Sequence, residues 1–386
     1  MSIGASTVNP ACMNGWRTGS HYYVRECGGS STLVRRGISL FGGTEGSAWT
    51  RAAAEAEKIV GYPTSFMGLR CLLSDELSNV AMQVRKLIGT KHPLVKTARG
   101  FLYDGKHNVQ TRGLIILLIA KAAGPSRQDD NKQAMVRGIY PSQRTLAEIA
   151  EMIHTAFLVH RGVVNIRDLL PTDGPRSVME FGNKMAVLTG DFLLASACRG
   201  LAELRNTLVV DLLSQAISDL TEAAFMPFSE DNLGRESPTF LPRPVVSDWA
   251  RYVYLSSGSL VAKGCRAALE LAGHDEEIQQ LGFEFGKNIS LVQQLHQELQ
   301  TWQSRRLSDI SLTSVPVLLH YEGQDRGWDQ TRVDIQKVYR EVKSGPALRK
   351  SQELLRSYSE SAHLAIRDFP QSNAKDALLK MLKAIS

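Results

Sequence analysis

Three sets of side chains in this sequence are of types that could do chemistry. The first is Asp129-Asp130, in a polar stretch. Adjacent carboxylates can hold a magnesium ion bridged to phosphate oxygens. A helix presents such ligands best with a further acid four residues on, and that position is Gln133. A solvated pair in a loop is the stronger reading. The second set is His154 and His160. Six residues turn a helix by about 600°, which leaves the two rings about 120° apart. That differs from the i, i+4 spacing that aims two imidazoles at one metal. Asp191 could in principle complete a His/Asp hydrolase site, but ordinary hydrogen-bonded histidines on a helix are the stronger reading. The third set is the five cysteines, Cys12, Cys27, Cys71, Cys198 and Cys265. They are dispersed, odd in number and lack a C-x-x-C pair, which argues against a disulfide scaffold or a cysteine zinc site. Walker, G-x-G-x-x-G and G-x-S-x-G motifs do not occur.

The elements that must position these groups read as helices. A helix is expected over Ala52–Val60. Leu77, Val80, Ala81, Val84 and Leu87 recur at offsets of three and four, so Ser74–Leu87 is amphipathic. Gly113–Ala123 is apolar almost all round and predicts a buried helix. Helices are expected next over Leu146–Val164, Lys184–Leu204 and Val209–Phe225. Others follow over Trp249–Leu271, Glu276–Trp302 and from Ala347 to the end. Gly124–Arg144, Pro171–Pro175 and Pro227–Pro244 carry the Gly, Pro and acidic residues of loops. Helices in succession, without strand alternation or a fixed repeat, predict an all-α fold.

Composition narrows the class. The chain has 386 residues, 43% of them hydrophobic and 22% charged, with a net charge of +6. That is ordinary globular composition, long enough for a sizeable core. No run of eighteen uninterrupted apolar residues occurs, so no transmembrane segment is expected. Residues 1–51 hold five arginines, two glutamates, no lysine and no aspartate, a net of +3 out of the chain's +6. Half of the basic excess therefore sits in the first eighth of the chain. With no Lys/Arg cluster elsewhere, no nucleic-acid partner is expected. An Arg-rich, Ser-rich, acid-poor start is the composition of a mitochondrial transit peptide, favoured over a plain polar tail. The expected organisation is a transit or disordered segment over 1–51 and one helical domain over 52–386.

Several segments together resemble the trans-type polyprenyl diphosphate synthase family. They are Ile153-His154-Thr155-Ala156-Phe157-Leu158-Val159-His160, the stretch Gly182–Leu194, Phe285-Gly286-Lys287-Asn288-Ile289 and Thr313-Ser314-Val315-Pro316-Val317. The resemblance spans roughly residues 55–320 and is most specific over Gly182–Leu194. It implies an isoprenoid-synthase-like bundle of antiparallel helices around a central cavity. In the family, two Asp-Asp-x-x-Asp motifs face each other across that cavity and bind magnesium and an allylic diphosphate. Arg112, His154, Gly190 and Asp191 are retained family residues.

The departures fall on the chemistry. The first motif reads Arg161-Gly162-Val163-Val164-Asn165, and the second Gln297-Glu298-Leu299-Gln300-Thr301. The Gly-Lys-Arg segment for the second diphosphate falls at Asn108-Val109-Gln110, and the Lys-Thr pair at Ser256-Ser257. Magnesium must neutralise the departing diphosphate, and carboxylates must hold magnesium. Losing such groups costs several kcal/mol each at the transition state. The resemblance therefore implies a non-catalytic subunit of a heteromeric trans-polyprenyl (decaprenyl or solanesyl) diphosphate synthase of the mitochondrial matrix, serving the ubiquinone side chain. It implies a catalytic partner subunit, an assembly of two plus two, magnesium in the partner and no catalytic, cofactor or metal residue in this chain. Isoprenoid diphosphates would be handled through the complex. Two alternatives stand beside this. One is a polyprenyl-lipid binding protein without chemistry. The other is an active synthase that holds magnesium through Glu298 and Asp191.

Overall fold

Hydrophobic periodicity of period 3.6 runs through most of the chain, and helices follow from it. The computed structural model describes residues 48–64, 87, 91–95, 97, 111–126, 134–226, 244–304, 310–322 and 334–386. The helix expected at 74–87, Asp129-Asp130, Asn108–Gln110 and nearly all of 1–51 and 227–244 lie outside these. Among the described residues there are twelve α-helices and no named strand. The fold is all-α.

The helices are α1 (Ala48–Val60), α2 (Thr111–Ala123), α3 (Pro141–His160), α4 (Arg176–Glu203), α5 (Thr207–Phe225) and α6 (Val246–Val253). They continue with α7 (Ser259–Leu271), α8 (Glu276–Gln303), α9 (Val315–Tyr321), α10 (Ile335–Ser344), α11 (Ala347–Ala365) and α12 (Asn373–Lys383). Helix α2 is buried on all sides, from Thr111 to Ala120 without a break. Helix α7 is as central and packs on α2, α3, α5 and α8. Helices α11 and α12 close the outside of the bundle, α11 on α8 and α12 on α1 and α2.

Several boundaries differ from the sequence expectation, each for a local reason. Helix α3 begins at Pro141, inside the expected 124–144 loop, because Pro suits a first helical turn. It stops at His160, not Val164, where Gly162 N–H turns back to Val159 O at 2.9 Å. Helix α4 starts eight residues before Lys184, directly after Pro175. The helix expected over Trp249–Leu271 contains a π turn at Tyr254–Gly258. The segment from Ala347 is two helices, since Pro370 cannot continue α11 and Ser372 caps α12 at Lys375 N. Lys375 Nζ donates to the Arg367 and Phe369 carbonyls at 2.6 and 2.8 Å, satisfying the link between α11 and α12. The short helices α9 and α10 had too few turns to show a period.

Polar side chains fasten the bundle where its backbone would be left unpaired. Gln143 is 1% exposed. Its Oε1 accepts from Tyr140 N at 2.9 Å, and its Nε2 donates to Ala268 O on α7 at 2.9 Å. It joins the start of α3 to the end of the central helix. A Gln143→Ala variant leaves both backbone groups buried without these partners. It is expected to lower unfolding stability by about 1–3 kcal/mol, read as an earlier midpoint in urea.

Candidate functional site

The first motif position is a tight turn between α3 and α4. Asn183, on α4, grips that turn with both ends of its amide. Its Oδ1 accepts from Val164 N and its Nδ2 donates to Val164 O, both at 2.8 Å. His92 completes the clamp. Its Nδ1 accepts from Leu94 N at 3.1 Å, so its Nε2 carries the proton and donates to Asn183 Oδ1 at 3.2 Å. Burial lowers the His92 pKa, which the bond to Asn183 opposes. Asn165 accepts from Arg167 N at 3.2 Å and caps a short 3-10 turn. The Arg161 guanidinium lies over the Phe157 ring, 5.8 Å from its centroid. The three positions that would carry the first motif's carboxylates are thus a cation on an aromatic face, a turn glycine and a helix cap.

His160 and Asp191 come together here, at the α3–α4 contact. His160 Nε2 lies 3.1 Å from Asp191 Oδ1 and 3.2 Å from Val187 O, so it donates to both. Gly190 is required by this approach, since a Cβ there would run into the His160 ring. Asp191 is 63% exposed, which makes the pair a weak surface contact. Among the described residues no hydroxyl or thiol is bonded to His160, so the pair has no nucleophile to activate. His154 lies apart and buried. Its pKa is held well below the usual histidine value by burial, then by Arg112 and Arg161, and it is neutral. Arg112 is buried too. Burial draws it down to about 10 against the pull of Glu151. Glu151 is raised by burial, opposed by Arg112 and by the Gly113 N–H that it accepts at 2.9 Å.

The second motif position is on α8. Its one acid, Glu298, is enclosed. Oε1 accepts from Trp249 Nε1 at 2.8 Å and Gln294 Nε2 at 3.1 Å, and Oε2 accepts from Val315 N at 3.0 Å. The carboxyl joins α8 to α6 and to the start of α9. Thr301 donates to the Gln297 carbonyl at 3.0 Å, within its own helix. Ser256 and Ser257, in the π turn, both donate to Val253 O, at 3.5 and 3.0 Å.

The donor set at these positions does not fit magnesium, which needs several oxygen ligands in octahedral geometry. One position is a cation, and the surviving carboxylate already accepts three hydrogen bonds. Among the described residues no three of His, Cys, Asp and Glu lie close enough together to hold a metal ion. Asn183, His92, Glu151 and Trp249 were missed in the sequence. Their partners stand 19 to 91 residues away, and no local spacing signals them.

Helix α4 carries exposed apolar side chains. It packs chiefly on α3. Val187 and Leu188 are 43% and 50% exposed, and Phe181, Phe192 and Leu194 are half-buried. Its apolar content would let it cross a membrane by length and hydropathy alone, a feature that the uninterrupted-run criterion overlooked.

Comparison with known proteins places this geometry. The model of the polyprenyl synthetase family matches residues 100–300. The all trans-polyprenyl-diphosphate synthase PDSS2 of Rattus norvegicus is 47% identical over 352 residues, covering 88% of this chain and 87% of the rat protein. A probable mitochondrial hexaprenyl pyrophosphate synthase of Neurospora crassa is 30% identical, covering 87% of each. The crystal structure of a Caulobacter crescentus polyprenyl synthase, complexed with calcium and isoprenyl diphosphate, superposes with a TM-score of 0.60 at 20% identity. It covers 88% of this chain and 98% of that one.

Glu298 makes the site's pH dependence testable. Burial pushes its pKa up to about 7, opposed by Val315 N, Trp249 and Gln294. A carboxyl raised by folding binds its proton more tightly in the native state. Its contribution is full below the unfolded value near 4.5 and is lost as pH rises through about 7. Wild type should therefore lose of the order of 3 kcal/mol relative to Glu298→Gln across that window, and none above it. Urea unfolding of both proteins between pH 4.5 and 8.5 checks this.

Proposed function

Because the chain belongs to the polyprenyl synthetase family, we propose that it is a non-catalytic subunit of a heteromeric trans-polyprenyl diphosphate synthase. One observation carries the reading. At the first motif, the groups that should hold magnesium are Arg161, Gly162 and Asn165, and the structure uses the turn that contains them to lock α3 to α4. Chain elongation needs diphosphate to leave an allylic carbon. The charge that develops must be met by a cation, itself held by carboxylates. A catalytic homologue supplies those carboxylates and the magnesium, in an assembly of two chains of each kind. This chain supplies scaffold and interface.

The uncovered face of α4 supports the partner. Leu188 stands in one row with the half-buried Phe181 and Phe192 on a helix of 28 residues, an apolar surface that an assembly would cover. The product serves the ubiquinone side chain in the mitochondrial matrix. The acid-poor, Arg-rich first 51 residues and the mitochondrial name of the fungal relative support that location. The alternative of an active synthase with Glu298 and Asp191 as ligands gains no support. One is enclosed by three donors and the other is exposed and paired with His160.

Isopentenyl diphosphate incorporation should be absent from this chain alone and present after co-expression with the catalytic homologue, with the two chains co-purifying. Arg161→Asp, Gly162→Asp and Asn165→Asp together should leave the isolated chain inactive. Robust turnover by that triple variant alone would sink the proposal. Leu188→Glu should cut co-purification at least tenfold while leaving the far-UV spectrum and urea midpoint of the isolated chain unchanged.

A further inference from the structure

Helix α7 carries a lysine, Lys263, that is only 7% exposed. Its Nζ lies 2.6 Å from Asp219 Oδ2 on α5. The Ser259 hydroxyl donates to the same carboxylate oxygen. Ser259 and Lys263 are one turn apart on α7, on the side that faces α5. They follow Ser256 by three and seven residues, so Lys263 lies about 10 Å further along the helix. The polar row thus begins at the place of the family's Lys-Thr pair and leads into the bundle.

The α2 and α8 sides of α7 are in close contact at two glycines. On the α2 side Ile116 presses on Gly264, where a Cβ would sit 2.5 Å from Ile116 Cδ1. On the α8 side Gly286 meets the backbone of Ala262, where a Cβ would sit 2.8 Å from Ala262 Cα. Small residues let those helices approach closely at both points. The α5 side is held by the ion pair. A hydrocarbon tail entering there must part Lys263 from Asp219, whose side chains are 9% and 18% exposed, and hydrocarbon returns no hydrogen bond to either. The open groove at α1 and α12, of about 490 Å³, is lined by Ile59, Asp376, Lys380 and Lys383 and lies away from this row.

We propose that the interior of this chain is closed to a prenyl tail, with the Lys263–Asp219 pair as the lock, so that the growing product is held wholly by the partner subunit. This rests on the subunit reading above and assigns the product to one side of the assembly. It also distinguishes the chain from a polyprenyl carrier.

The test is photolabelling of the co-expressed complex with a benzophenone-tailed prenyl diphosphate, followed by mass spectrometry of each chain. In wild type, label is expected on the partner and not on α5 or α7 peptides of this chain. Lys263→Ala with Asp219→Ala should raise labelling of those peptides at least tenfold. Lys263→Met with Asp219→Leu, which refills the space with apolar side chains, should leave them unlabelled. Label on α5 or α7 in wild type overturns the proposal. So does an unlabelled double-alanine variant that folds and co-purifies normally. If the double-alanine variant does not fold, the wild-type arm decides by itself. If no complex forms, the subunit reading has failed, and labelling of the full chain alone still decides whether its interior is closed.

Discussion

Helix α7 is buried along nearly its whole length, and the rest of the bundle is arranged around that constraint. A helix with no solvent face must give each polar group it carries a partner from a neighbour. Lys263 and Ser259 find Asp219 on α5. The Ala268 carbonyl finds Gln143 on α3. Glu270 accepts from Asn206 ahead of α5 and from Gln279 on α8. Each of these contacts fixes one surrounding helix relative to the centre, so polar pairing sets the geometry that apolar burial alone would leave loose.

The same logic accounts for the fate of the two motif positions. A carboxylate held ready for a metal is a cost to folding, because like charges gather in one place. In this chain the residues at those positions serve the fold. Val164 is gripped by Asn183, and Asn165 caps a turn. Glu298 gathers Trp249, Gln294 and Val315 and so ties three helices together. Packing depends on volume and period, while metal binding depends on a few charges, so the family scaffold does not by itself require those charges.

Much of the fold was legible. Gly113–Ala123 was readable as a buried helix because nearly every residue in it is apolar, and α2 is buried throughout. The long helices α4, α5 and α8 had enough turns for a period to stand out. Ends were less legible. The stop of α3 at His160 depends on a backbone turn tied to Asn183, and the break after Ala365 depends on Pro370 in its context. Of the candidate site, the sequence singled out Arg161, Gly162, Asn165 and Glu298 but not the partners they meet. The sequence offered Asp191 as a partner for the two histidines, and the packing of α3 on α4 across Gly190 decided that it meets His160.

The sequence by itself determined the fold class and the family, because both are written in residue types at fixed spacing along one chain. The tertiary structure alone decided what the side chains at the expected motif positions do. Whether Glu298 is a ligand or a clasp, whether Lys263 meets solvent or Asp219, and which face of α4 stays uncovered are matters of helix against helix. Those contacts join residues tens of positions apart, and burial sets their strength. Neither the distance nor the burial exists until the helices have packed.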